Sequence, residues 1–455
     1  MRQPPPTADD EPRPVRNPVY ERLRQQAFSL TWLTYVTLYL TRRSFAVAKV
    51  AFEENPSSGI DLTREQLGLV DSSYLVAYAL GQFMWGAMGD RFGPGRVLKV
   101  GLILSVVAAV GSGFSSILIA FAVFAVVQGI GQSTGWPTLI KTMSAWFSAR
   151  ERGRVMGWWC TSYAVGAAIA APFAAWMMRL FGSQGTLYWP AGFWGPAFVL
   201  FLVFLLVVNR YRDRPEDVGL PSVGVYHGEA SEELGVEPSG AAAAAARSWG
   251  AIGLVIRQPA VWLLALCYFS IKLTRYAFDF WGPMYISESL GSGTAISAIT
   301  SAALPIGGIF GVLTSGYLSD GFFQSRRAPV AALSLGLTVA VLLIGQLIAI
   351  PNAFVMGAFF FAVGFFLYVP DALVSATAAM DRGTSRGAGT AAGFINGVGS
   401  IGAVLGGYLP GVLTTSDDWS RLFYVFIAGL IVSIVVILPL WDVGAKTEPG
   451  TSVLS

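Results

Sequence analysis

SLTWLTYVTLYLTRRSFAVAKVAF (29–52) and VWLLALCYFSIKLTRYAFDFWGPMYI (261–286) decide the reading of this chain. Both runs are apolar and long enough to cross a bilayer, and each carries an arginine well inside it, Arg42 and Arg275. About 16 residues past the expected helix start, at 1.5 Å per residue, each would lie roughly 24 Å up its axis, near the bilayer midplane. A cation there costs about 2.5–3.5 kcal/mol or more unless something neutralises it. A dianionic phosphate held between two guanidinium forks would do so, a geometry that suits arginine better than lysine. The pair therefore predicts a carrier of phosphate esters.

The rest of the composition agrees with a membrane setting. Of 455 residues, 54% are hydrophobic and 13% charged, against about 25% charged in an average soluble protein. Spanning runs begin near residues 27, 66, 97, 118, 154, 191, 260, 293, 328, 353, 387 and 421. The expected fold is an all-α integral membrane protein of twelve transmembrane helices, because the runs have helical length and lack the alternation of a membrane barrel. With a cytoplasmic N-terminus, inner loops and tails hold 21 of the 30 Lys and Arg residues. Outer loops hold three (Arg64, Arg179, Arg421) and are otherwise acidic, as at Glu53, Glu54, Asp61, Glu65, Asp417 and Asp418. That asymmetry is the positive-inside pattern, so the net charge of +3 reports topology and not nucleic-acid binding.

The polar stretch after Tyr211 divides the helices six and six. The expected parts are a disordered cytoplasmic tail (1–25), an N-terminal six-helix half (26–210), a cytoplasmic loop (211–256), a C-terminal half (257–442) and a cytoplasmic tail (443–455). His227, the only histidine, falls in the loop and reads as a solvated linker residue. Cys160 and Cys267 lie within helices and give no sign of a disulfide.

The two halves repeat. Gly86-x3-Asp90 with Arg96 is echoed by Gly316-x3-Asp320 with Arg326, Pro137 by Pro370, Arg152-Gly153 by Arg386-Gly387, and Arg42 by Arg275. The offsets are 230, 233, 234 and 233, which argues for an internal duplication with parallel halves that brings both arginines to the middle. The two G-x3-D elements read as short cytoplasmic turns where the aspartate pairs with Arg91, Arg96 or Arg326 and gates the cytoplasmic side. Gly402-x3-Gly406 reads as a close-packing face, and Gln132 and Asn396 as polar ties between helices. Asp71 and Lys49, nearer the outer ends, read as snorkelling or paired groups.

The G-x3-D elements and the duplicated plan resemble the major facilitator superfamily. Within it, YLTRRSF (39–45), QSTGWPTLIKTMSAWFSARERGR (132–154), RDRPEDVGLP (212–221), KLTRYAFDFWGPMYI (272–286) and GTAAGFINGVGSIGAVLGG (389–407) resemble the organophosphate:phosphate antiporters. The resemblance implies that Arg42 and Arg275 are the phosphate-binding pair and that Tyr35, Tyr39 and Tyr78 line the pore. It implies exchange of an organic phosphate for inorganic phosphate by alternating access in a bacterial inner membrane, with both termini cytoplasmic, no cofactor, no metal and a monomeric chain. Departures from the family pattern fall at Gln82, where glycerol-phosphate members carry a lysine, and at Tyr163, where they carry a histidine. Lys272, one turn before Arg275, is similar to the hexose-phosphate pattern and would restore a cation. It could instead pair with Asp279, which is one place early for the family, or with Asp371, a midmembrane carboxylate that could also serve proton coupling.

Two other readings remain open on sequence. A membrane sensor would bind a sugar phosphate and signal to a partner kinase, and a proton-coupled symporter would take an organic carboxylate through Asp371 or Asp279. An enzyme is not expected, since the chain has no G-x-S-x-G, no H-E-x-x-H and no nucleotide P-loop.

Overall fold

The computed structural model describes residues 17–55, 58–183, 186–227, 257–323, 326–374, 388–415 and 418–441. The N-terminal half comprises α1 (Pro18–Arg42), α2 (Ser44–Glu54), α3 (Arg64–Phe92), α4 (Pro94–Gly113), α5 (Leu118–Gln132), α6 (Gly135–Trp146), α7 (Ala149–Trp159), α8 (Thr161–Leu180) and α9 (Ala191–Arg210). A short α10 (Val223–Tyr226) follows. The C-terminal half comprises α11 (Pro259–Leu290), α12 (Thr294–Ser301), α13 (Ala303–Tyr317), α14 (Arg327–Leu347), α15 (Ala353–Ala372), α16 (Ala388–Leu413) and α17 (Ser420–Ile437). The pairs α1–α2, α5–α6, α7–α8 and α12–α13 are each one crossing with a break, which leaves twelve long helical segments. Among the described residues, nine are long and apolar enough by themselves to cross a membrane. The other three, 18–54, 64–92 and 388–413, border the seam between the halves, 64–92 packing on 388–413 and α2 on α11, and the first two bring Arg42, Arg43, Lys49 and Asp71 to it.

Glycine lets the seam close. A Cβ on Gly68 of α3 would come within 3.0 Å of the Tyr408 carbonyl of α16. On the next face of α16, a Cβ on Gly402 or Gly406 would collide with the Phe269 or Leu273 carbonyl of α11. This is the close backbone approach expected of small residues in a bilayer, where apolar burial between helices gives no drive.

The face opposite the N-terminus is tied across the seam by polar groups. Arg64 pairs with Glu288 and donates to Thr414 Oγ1 at 3.2 Å, while Trp419 Nε1 donates to Glu288 at 2.6 Å. Glu54 accepts from the Thr294 amide at 2.7 Å, and Tyr408 donates to Glu65 at 3.2 Å. Deeper in, Lys49 and Asp71 form an ion pair with side chains 0% and 1% exposed, and Lys49 Nζ also donates to the Phe280 carbonyl of α11 at 3.2 Å. Neither group snorkels, because its counterion is already in place.

On the N-terminal face three expectations are corrected. The first helix begins at Pro18, so residues 18–25 belong to the folded body and not to a tail. Asn17 Oδ1 caps it by accepting from the Val19 and Tyr20 amides at 3.0 and 3.4 Å, with proline in the first turn. Second, residues 211–227 are a folded strap. Trp146 Nε1 donates to the Arg212 carbonyl at 3.2 Å, Asp213 accepts from the Gly95 amide, and Tyr226 stacks on Tyr20 with centroids 3.8 Å apart. Burial pushes the Tyr20 phenol up to about 12 and raises the Asp213 carboxyl, which the Gly95 amide partly offsets. His227 is therefore held, its Nε2 3.7 Å from Glu151 and 3.5 Å from Arg24 Nη1, and is not freely solvated.

Third, the G-x3-D elements are not turns. Residues 86–92 continue α3, and the chain reverses at Gly93, whose φ of +87° favours glycine, before Pro94 starts α4. Gly316 is in α13 and Asp320 in a following π-helical turn, Leu318–Phe322. Arg91 and Arg96 are exposed, with Arg91 over the Phe92 ring, and Arg326 immediately precedes α14. The side chains of Asp90 and Asp320 lie outside the described residues, as do 228–256 and Arg386.

Candidate functional site

The helix carrying Arg42 breaks immediately after it. Arg43 takes a non-helical conformation (φ −95°, ψ 0°) between α1 and α2. Gln132 of α5, 0% exposed, donates to the Leu38 carbonyl at 3.0 Å and to Thr41 Oγ1 at 2.9 Å, just ahead of the break. A side chain inserted at a helix carbonyl is a known cause of such a kink. The same Gln132 accepts from Arg42 Nε at 2.9 Å and from the Tyr74 hydroxyl at 2.9 Å. The amide is saturated, and its role is to aim the guanidinium.

Around Arg42 the other neighbours are rings. Its Cζ is 4.3 Å from the Tyr39 centroid, 4.9 Å from Tyr78 and 6.0 Å from Tyr74. Cation–π attraction of about 1–2 kcal/mol per desolvated ring keeps a buried guanidinium charged without a counterion. Arg42 Nη2 is buried and has no hydrogen-bond partner among the described residues. Tyr35 lies about two turns before Arg42 and extends this aromatic group, 5.3 Å from Trp159 and 5.7 Å from Trp136 and from Tyr39.

Arg275 has different company. Its Nη1 is 2.7 Å from Asp371 Oδ2, its Nε is 3.8 Å from Asp279 Oδ2, and its Cζ is 4.1 Å from the Tyr368 centroid. The C-terminal arginine thus carries its own carboxylate. Asp279 is shared, since Arg43 forms an ion pair with it from the other half. Lys272 reaches neither carboxylate as an ion pair. It approaches Asn396 Oδ1 at 3.5 Å and lies 4.8 Å from the Tyr268 ring, within electrostatic reach of Asp371 and Arg275. Tyr163 of α8 faces Arg275 and Asp371 across the seam. Gln82, half-buried one turn beyond Tyr78, makes no hydrogen bond to either guanidinium among the described residues.

Tyr39, Arg42, Arg43, Arg275, Tyr276 and Asp279 line one narrow central cleft, completed by Ala46 and Phe280. The fold thus brings Arg42 and Arg275 together from opposite halves. Taking Arg42, Arg43, Lys272 and Arg275 as cations and Asp279 and Asp371 as anions, the cluster carries +2. Such a cleft can hold a dianion through charge-assisted hydrogen bonds. Sequence reasoning missed Tyr74, Tyr276 and Tyr368, and it gave Gln132 no part at the arginine. Tyr74, four residues before Tyr78 on one helical face, was findable by spacing.

Residues 31–407 match the model of the Major Facilitator Superfamily. The chain belongs to that superfamily of multi-pass membrane transporters, which are not enzymes, and its relatives match the organophosphate:phosphate antiporters within it. It is 27% identical over 438 residues to a protein named "Probable hexose phosphate transport protein" of Chlamydia trachomatis, covering 94% of this chain and 93% of that one. It is 31% identical over 435 residues to the "Membrane sensor protein UhpC" of Escherichia coli, covering 94% of each. The fold is shared with a bacterial homolog of the human lysosomal transporter Spinster, solved inward-facing and occupied, at a TM-score of 0.71 and 15% identity over 94% of this chain and 99% of that one.

Proposed function

We propose that this protein exchanges a phosphate monoester for inorganic phosphate by alternating access across a bacterial inner membrane, as a monomer with both termini in the cytoplasm. One observation carries the reading: guanidinium groups from both halves line a single cleft, and each has a buried donor, Arg42 Nη2 and Arg275 Nε, without a hydrogen-bond partner among the described residues. Phosphate accepting from Arg42 Nη2 and competing with Asp371 for Arg275 would draw the halves together around it. Return of the empty carrier would leave Arg42 desolvated without a counterion, so exchange is favoured over net uptake. The distal ties, Arg64–Glu288 and Glu54–Thr294, close the outer side in this state. The basic loops support a cytoplasmic N-terminal face.

The test is phosphate counterflow in proteoliposomes loaded with unlabelled phosphate. Rapid entry of labelled phosphate, inhibited by phosphate esters and absent from vesicles without internal anion, supports the reading. Folded protein without counterflow sinks it. The 31% identity to a membrane sensor protein favours a second reading, in which the same cleft reports ligand to a partner. Ligand binding without counterflow would select it.

A further inference from the structure

We propose that Asp371 sets the charge selectivity of the cleft, admitting divalent phosphate monoesters of neutral, hydroxylated compounds and excluding phosphate esters that carry an additional carboxylate. This rests on the phosphate-exchange reading and specifies its organic substrate.

Two observations carry it. First, Asp371 lowers the charge of the cluster from +3 to +2, and it does so at the arginine the organic phosphate must share: its Oδ2 is 2.7 Å from Arg275 Nη1. A monoester whose second ionisation lies near pH 6 is mainly divalent at pH 7 and matches +2. A trivalent phospho-acid does not, and its third charge would face a fixed carboxylate at short range. Second, the other oxygen, Asp371 Oδ1, is buried and has no hydrogen-bond partner among the described residues. A buried acceptor without a donor is costly. A substrate hydroxyl can supply that donor, whereas a substrate carboxylate brings two more acceptors. Lys272, within electrostatic reach on the same helix as Arg275, is the cation that keeps the total at +2 rather than +1.

The selectivity follows from the count of charges, so it moves both ways when the count is changed. Counterflow of labelled phosphate at pH 7 would be inhibited with two matched pairs: glycerol 3-phosphate against 3-phosphoglycerate, and glucose 6-phosphate against 6-phosphogluconate. Each pair exchanges a neutral end for a carboxylate. The parent chain is expected to favour the neutral member by about tenfold or more, the scale of one unit charge a few ångströms away in a partly buried site. Asp371→Asn is expected to narrow or invert that ratio by about tenfold, and Lys272→Gln to widen it. The double variant, again at +2, returns the ratio toward the parent value.

A parent chain that favours the carboxylate member, or a ratio that Asp371→Asn leaves unmoved, overturns the proposal while phosphate exchange itself stands. If Asp371→Asn does not fold, Lys272→Gln decides alone, and an unmoved or narrowed ratio overturns it. Absence of any counterflow in the folded parent chain would instead sink the exchange reading beneath it.

Discussion

Arg42 and Arg275 occupy equivalent places in a duplicated chain, yet their surroundings are opposite in kind. Arg42 is held by Gln132 and three tyrosine rings with no carboxylate against it among the described residues, although each arginine keeps one buried N–H without a hydrogen-bond partner there. Arg275 is held by Asp371, with Asp279 nearby, under the Tyr368 ring. Both devices solve the same problem, a cation taken out of water, but only the second solves it with charge. An aromatic and amide cage leaves the guanidinium in need of an anion, whereas a carboxylate satisfies that need internally. On the proposed exchange, the N-terminal half would receive the anion and the C-terminal half would release a partner when one arrives.

That contrast breaks most visibly at Arg42. Arg42→Lys keeps the charge but loses the planar fork and the donor to Gln132, and a loss of phosphate exchange of about a hundredfold is expected from initial counterflow rates. Gln132→Glu would make the N-terminal cage resemble the C-terminal one by giving Arg42 its own carboxylate. Phosphate affinity should fall by about thirtyfold while the protein still elutes as a folded species. Arg275→Lys impairs exchange too, by about tenfold, a smaller effect because Arg275 already shares its charge with Asp371. Equal losses for the two arginine variants would erase the distinction between the halves. The smallest effect belongs to Tyr74→Phe, which removes one hydrogen bond from Gln132 and should weaken phosphate half-saturation by about two- to fivefold.

The parts legible in the sequence are those written in local pattern. Hydropathy and the repeated landmarks gave twelve crossings and the two arginines at one offset, and small-residue spacing gave the Gly402–Gly406 packing face, which α11 fills. The partners of those arginines were not legible, because Arg275 and Asp371 are 96 residues apart and Gln132 acts on α1 from α5. Pattern also misled where context overrides it. Asp90 lies in the last turns of α3 because Gly93 takes the positive φ that turns the chain. His227 lies in a polar stretch but is held by Glu151 and Arg24 once α10 docks. Three crossings at the seam are less apolar than the other nine, and two of them carry its buried charges.

The most direct test of the central claim is calorimetric titration of inorganic phosphate into the purified, detergent-solubilised protein and its Arg42→Lys variant. One phosphate per chain is expected in the parent, with binding lost or weakened about a hundredfold in the variant. Unchanged affinity in a folded Arg42→Lys protein would place the anion elsewhere and contradict the account.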